Sequence, residues 1–157
     1  MNVDPQAIAE MFETVSLGAP ENAVGFVMWR IVHRYQREVE QALRDLDLTH
    51  LQFVTLTLVA WMTRRGDVTT QAELARFGDI HPMQVSNVLS ALAQKSLIER
   101  APAGSGRAKT VAITAAGLTT LRQAIPLVID VQARIFGEQG RPGGRLLDTL
   151  AEIDRQR

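Results

Sequence analysis

Cysteine is absent from the 157-residue sequence, which excludes a disulfide framework, a thiolate metal site and any sensing step that oxidises a thiol. Long apolar runs are missing as well. Nowhere does an uncharged stretch approach the ~20 residues that a membrane-spanning helix requires. Met1 to Pro20 holds Asp4, Glu10 and Glu13 but neither a basic cluster nor an apolar core segment, so it does not read as a signal peptide. The expected location is the cytoplasm. An excess of charge of one sign is lacking too, with 17 basic and 17 acidic residues, and no internal repeat or low-complexity segment is found. At this length one domain with a sizeable core is expected.

The charge is unevenly distributed. Residues 1–50 carry four arginines against eight carboxylates, whereas residues 81–114 carry Lys95, Arg100, Arg107 and Lys109 against Glu99 alone. Phosphates respond to a local positive surface, so the second segment is where a nucleic-acid contact is to be sought.

Catalytic and metal chemistry find little to build on. His33, His50 and His81 stand at no spacing a metal site uses, and no carboxylate completes a ligand pattern with them. No nucleophile has a base at a recognisable spacing. Gly104-Ser105-Gly106 lacks the Gly-Lys-Ser/Thr and the helix that a phosphate-cradling loop requires. The sequence reads as a non-enzyme with no cofactor and no metal.

Periodicity supplies the architecture. Val24, Val27, Ile31, Tyr35, Val39, Ala42 and Leu46 recur at helical spacing and predict a long helix over 23–46. Thr49 and Gln52 form a capping box ahead of a second helix that stops near Gly66, and Thr70 with Glu73 caps a third, ending at Gly78. His81-Pro82 places a cap and an N-terminal proline before a fourth helix whose buried side is Val85, Val88, Leu89 and Leu92. Two helices joined by the turn 78–81 make a helix-turn-helix. Residues 97–100 and 110–114 read as two strands joined by a glycine-rich tip, a hairpin wing. A helix over 118–136, kinked at Pro126, and an amphipathic helix over 145–154 complete the chain.

The fold class is α+β, mostly helical: a winged helix-turn-helix with flanking N- and C-terminal dimerisation helices. Residues 1–22 form an extension, 23–47 a dimerisation helix, 48–114 the winged lobe and 115–157 the C-terminal dimerisation helices. The apolar faces outside the winged lobe exceed what that lobe can cover, which predicts a homodimer. Pro82, Met83, Gln84, Ser86 and Asn87 occupy the exposed start of the reading helix, where amides and hydroxyls reach base edges and phosphates; a carboxamide such as Gln84 or Asn87 can pair bidentately with adenine. Lys95, Arg100 and Lys109 are candidates for phosphate contacts. The second reading is a winged helix that holds a protein or ligand without binding DNA, in which these residues are polar surface.

The chain resembles the MarR family of bacterial winged-helix regulators. The resemblance is carried by residues 48–54, 70–75, 82–88, 97–100 and 107–117, and it spans roughly 23 to 154. It implies a transcription regulator, expected as a repressor, acting as a dimer on a pseudo-palindromic site in double-stranded DNA. It also implies that Arg107, at the wing tip, enters the minor groove. The family often binds phenolic or aromatic acids, and Met28, Trp29, His33, Tyr35, Trp61 and Met62 would line such a cleft, although aromatic and methionine residues at helical spacing more often pack a core. Three positions depart from the family pattern. Ser105 replaces the aspartate that steadies the wing arginine, Ser96 replaces a glycine before the first wing strand, and Asn87 stands where arginine is frequent.

Overall fold

The computed structural model describes residues 3–102 and 109–156. They divide into two compact units, Met1–Glu38 and Val39–Arg157. In the first unit, the expected extension contains a helix, α1 (Pro5–Val15). Asp4 caps it by accepting from the Gln6 N–H at 3.0 Å, and Pro5 occupies the first turn, where its missing N–H leaves no bond unmade. Ile8, Met11, Phe12 and Val15 fall on one face of α1, and all four are exposed. A 3₁₀ turn (Pro20–Asn22) leads into α2 (Val24–Ala42).

The long predicted helix is therefore present, but its apolar stripe, half-buried at Val27 and Tyr35, becomes fully buried only near its end. Val39 is buried, whereas Val24 and Ile31 are exposed. Leu43 and Leu48, fully or nearly buried, flank a 3₁₀ turn (Arg44–Leu46), and Asp47 reverses the chain at φ 51°.

The second unit is built around α3 (His50–Thr63), which packs against α5, α6 and β3. Its capping box forms as the sequence predicts: Gln52 N–H donates to Thr49 Oγ1 at 3.2 Å, and Thr49 N–H donates to Gln52 Oε1 at 3.2 Å. Phe53, Leu56 and Val59 point inward, with Thr55 buried beside them. Then come β1 (Thr69–Thr70), α4 (Gln71–Gly78), α5 (Pro82–Gln94), β2 (Ile98–Pro102), β3 (Lys109–Ile113), α6 (Ala115–Phe136) and α7 (Arg145–Arg155). Leu74, Val85, Leu89, Leu92, Ile98, Val111, Leu121, Ala124, Val128 and Val131 complete one core. Each fully buried Leu or Val in it is worth about 1.5–3 kcal/mol of removed apolar surface.

The sheet is antiparallel in the order β1-β3-β2. The two-residue strand β1 pairs Thr69 with Val111 and Thr70 with Thr110, a third strand that period-two alternation cannot reveal at such length. The wing strands run in register from Ile98↔Ile113 to Pro102↔Lys109.

Asp79 and Ser96 set left-handed turns, whereas Gly78 and Gly117 permit close packing. The turn after α4 places Asp79, not Gly78, in the left-handed region at φ 50°. Gly78 is small for another reason: a Cβ there would stand 2.9 Å from both Leu58 Cδ1 and Ile80 Cδ1. At Gly117 a Cβ would overlap the Leu97 carbonyl oxygen, so α6 can approach the start of the wing only with glycine at that point. Ser96 takes φ 57° where the family has glycine, so this chain keeps the left-handed turn with a residue that favours it less. α6 runs through Pro126 as one helix and leaves the Arg122 carbonyl without its usual helical donor.

Candidate nucleic-acid interface

The helix-turn-helix consists of α4 and α5. Thr70 caps α4 by accepting from Glu73 N–H at 3.3 Å, while Thr70 N–H donates to Glu73 Oε2 at 2.8 Å. These bonds to Thr70 hold the Glu73 carboxyl below the usual carboxylate range. His81 caps α5 through Nδ1, which accepts from Met83 N–H at 3.2 Å, and Pro82 follows in the first turn.

Val85, Val88, Leu89 and Leu92 lie on the buried face of α5, at i, i+3, i+4 and i+7. The opposite face presents Pro82, Met83, Gln84 and Asn87 to solvent, with Ser86 half-buried between them. Five sequence-selected residues thus share one end of one helix, which the packing of α5 against α3 and α4 holds out from the lobe.

The cations are arranged differently from one another. Arg100, on β2, donates from Nη2 to Gln71 Oε1 at 3.0 Å and from Nη1 to Ser90 Oγ at 3.2 Å. It joins the wing to both helices of the motif. Lys109, at the start of β3, is exposed. Lys95 ends α5, at the far end from Gln84, and its ammonium pairs with Asp47 Oδ2 at 3.0 Å, with Gln52 Oε1 at 3.1 Å and with the Asp47 carbonyl. Those bonds favour a structural role over the phosphate contact expected of it. Arg107 and Ser105 lie outside the described residues.

Gln71 and Arg76 emerge only from the structure. Together with Ser86, Pro82, Arg100 and Lys109 they line a crease between α4, α5 and the wing base. Their signal in the sequence was weak, since a glutamine after a cap and an arginine in a short helix are ordinary surface.

The proposed cleft residues fall in both units. In the first, Phe26, Trp29 and His33 stack along the exposed side of α2, with centroid distances of 6.3 Å and 4.4 Å, and His33 Nδ1 lies 2.7 Å from the Trp29 carbonyl oxygen. Trp29 is 58% exposed, so it is not a core residue of this unit; Met28 is exposed and Tyr35 half-buried. In the second, Trp61 is exposed beneath Arg64, whose guanidinium carbon is 3.5 Å from the ring centroid, and Met62 Sδ accepts from Thr69 Oγ1 at 3.8 Å.

Among the described residues no group of His, Asp and Glu could hold a metal ion, and no helix is long and apolar enough to cross a membrane. No protein-family model matches the chain. A curated relative does: an uncharacterized HTH-type transcriptional regulator, YdcH of Bacillus subtilis, is 34% identical over 118 residues, which are 74% of this chain and 80% of YdcH. The chain belongs to the MarR family of helix-turn-helix transcriptional regulators.

Solved structures agree on the fold. A MarR-family regulator from Silicibacter pomeroyi superposes with a TM-score of 0.70 at 21% identity, over 88% of this chain and 90% of that one. The transcriptional repressor CouR bound to a 23-mer DNA duplex gives 0.74 at 25% identity, over 89% and 98%. Within the MarR pattern, this chain's Asn87 stands among the exposed residues of α5, so the family's frequent arginine is replaced at a position facing outward.

Proposed function

We propose that this MarR-family chain is a cytoplasmic repressor rather than a catalyst, binding double-stranded DNA as a homodimer on a pseudo-palindromic site. The observation that carries the reading is the two-faced α5: four apolar residues anchor it, and Pro82, Met83, Gln84 and Asn87 project from its start. A helix so anchored can enter a major groove and offer carboxamides to base edges. The exposed apolar faces of α1 and α7 support a dimer, which would present two readers one helical turn of DNA, about 34–36 Å, apart. The exposed Trp29 and His33 support an aromatic or phenolic effector, whose differential affinity for two reader spacings would relieve repression.

The test is fluorescence anisotropy on the DNA flanking the chain's own gene. Binding should weaken steeply with salt through counterion release. Gln84→Ala should lower affinity by about 1–3 kcal/mol and relax preference at one base pair per half-site, with Tm unchanged. Binding that ignores both salt and Gln84 would leave a winged helix with another kind of partner.

A further inference from the structure

We propose that the crease between the start of α4, the start of α5 and the wing base seats one backbone phosphate of the DNA strand, with Arg100 as its preset floor. The proposal rests on the DNA-binding reading above and names the strand contact that would fix the register of α5.

Arg100 differs from the cations that form ion pairs among the described residues. Lys95, Arg34 and Arg141 each have a carboxylate oxygen close by, at 3.0, 3.6 and 2.9 Å. The Arg100 guanidinium is held instead by two neutral acceptors, Gln71 Oε1 and Ser90 Oγ, and its Nε is sealed from solvent with no acceptor among the described residues. Among the described residues two of the five N–H groups find acceptors and no carboxylate pairs with the guanidinium, so the fork is oriented without a partner charge. Among the described residues none lining the crease carries a carboxylate, and Arg76 and Lys109 add two more cations to its lining. Arg76 does feel Glu73, whose carboxyl it helps to hold low, so Arg100 and Lys109 are the cleaner charges.

The shape of the ligand follows from this. A planar fork with neutral supports suits a tetrahedral oxyanion, which can take two N–H bonds at once. The crease is open rather than enclosed, and Pro82 and Ser86 at the start of the reader also line it, so a strand bordering the groove that α5 enters would cross it. Gln71 links the two events: its Oε1 accepts from Arg100 while its Nε2 donates to the Pro82 carbonyl at 3.5 Å. Gln71 is thus a positioning residue, tying the phosphate seat to the first turn of the reading helix. Phosphate contacts of this kind set register, and base edges then set specificity.

The experiment compares the full-length wild type with Arg100→Gln, Arg100→Lys and the double variant Arg76→Gln/Lys109→Gln on the same duplex, each across a series of salt concentrations. Wild type should give a linear fall of log K with log salt. Arg100→Gln should reduce that slope by about 0.9 for each seat lost. Arg100→Lys should keep the slope but bind more weakly at every salt, because the charge remains and the fork is gone. The double variant, exposed on both counts, should reduce the slope without altering Tm, which keeps the proposal testable if Arg100→Gln does not fold. If wild type binds and folded variants keep its slope, the seat is wrong and the DNA reading stands. If wild type binds no DNA, the reading beneath the proposal has failed. In the DNA-free protein, a rise in Tm with inorganic phosphate over chloride at equal ionic strength that Arg100→Gln abolishes, in a protein whose DNA salt slope Arg100→Gln leaves unchanged, would assign the seat to a free anion and overturn the strand contact.

Discussion

The ammonium of Lys95 lies 3.0 Å from Asp47 Oδ2 and 3.1 Å from Gln52 Oε1, tying the last turn of α5 to the start of α3. Gln52 is also half of the box that caps α3, so one side chain serves both contacts. Lys95→Gln should therefore leave the salt dependence of DNA binding as it is in the wild type, because no phosphate contact is lost. Stability should fall by less than about 1 kcal/mol, since Asp47 is largely exposed and water screens the pair. Urea unfolding and salt-titrated anisotropy on one preparation measure both; a reduced slope would return Lys95 to the DNA contacts.

His50, in the first turn of α3, gives the fold a pH dependence of known sign. Burial lowers the imidazole pKa from its ordinary 6.5, and the Glu40 carboxylate partly opposes that shift. Glu40 also accepts from the His50 backbone N–H at 3.4 Å. The unfolded chain then takes up its proton at higher pH than the native one, so ∂ΔG/∂pH is positive between the two values. The stability attached to neutral His50 is fully present above about pH 7 and is lost as pH falls through 6.5 toward the lower native value. Urea midpoints at pH 7.5 and 5.5 should differ more for wild type than for His50→Gln. Equal differences would remove His50 from the account.

Legibility from sequence followed the strength of local signals. Both capping boxes, the His81-Pro82 start and the apolar spacing of α5 are short-range chemistry, and each forms at the residues where it is written. The α1 helix was equally written, in Asp4-Pro5 and the spacing of Ile8, Met11, Phe12 and Val15, but its lack of basic and membrane character drew the reading toward what the segment is not. The strand β1 and the Arg100 clasp were illegible for a different reason. Thr69 finds Val111, and Arg100 finds Gln71 and Ser90, across gaps that only the completed fold closes. The expected end at Gly78 is where α4 ends, but the sequence could not tell that Asp79 takes the left-handed turn while Gly78 makes room for Leu58 and Ile80, because that crowding exists only in the packed fold.

The dimer is tested on α7, where Leu146, Leu147, Leu150 and Ile153 are between 37% and 57% exposed in the single chain. Surface left bare in one copy adds nothing to the stability of that copy, so its replacement separates assembly from folding. Leu150→Asp should preserve the helical circular dichroism signal and shift the sedimentation coefficient to that of a monomer at micromolar concentration, since a desolvated carboxylate without a partner opposes association. Affinity for a two-half-site duplex should fall by the effective-concentration factor, about 10²–10⁴, while affinity for an isolated half-site stays as it was. A dimer that survives Leu150→Asp with unchanged dissociation would place α7 outside the interface. The exposed faces of α1 and α2 would then have to join the copies, and the spacing of the two readers would depend on the N-terminal segment instead.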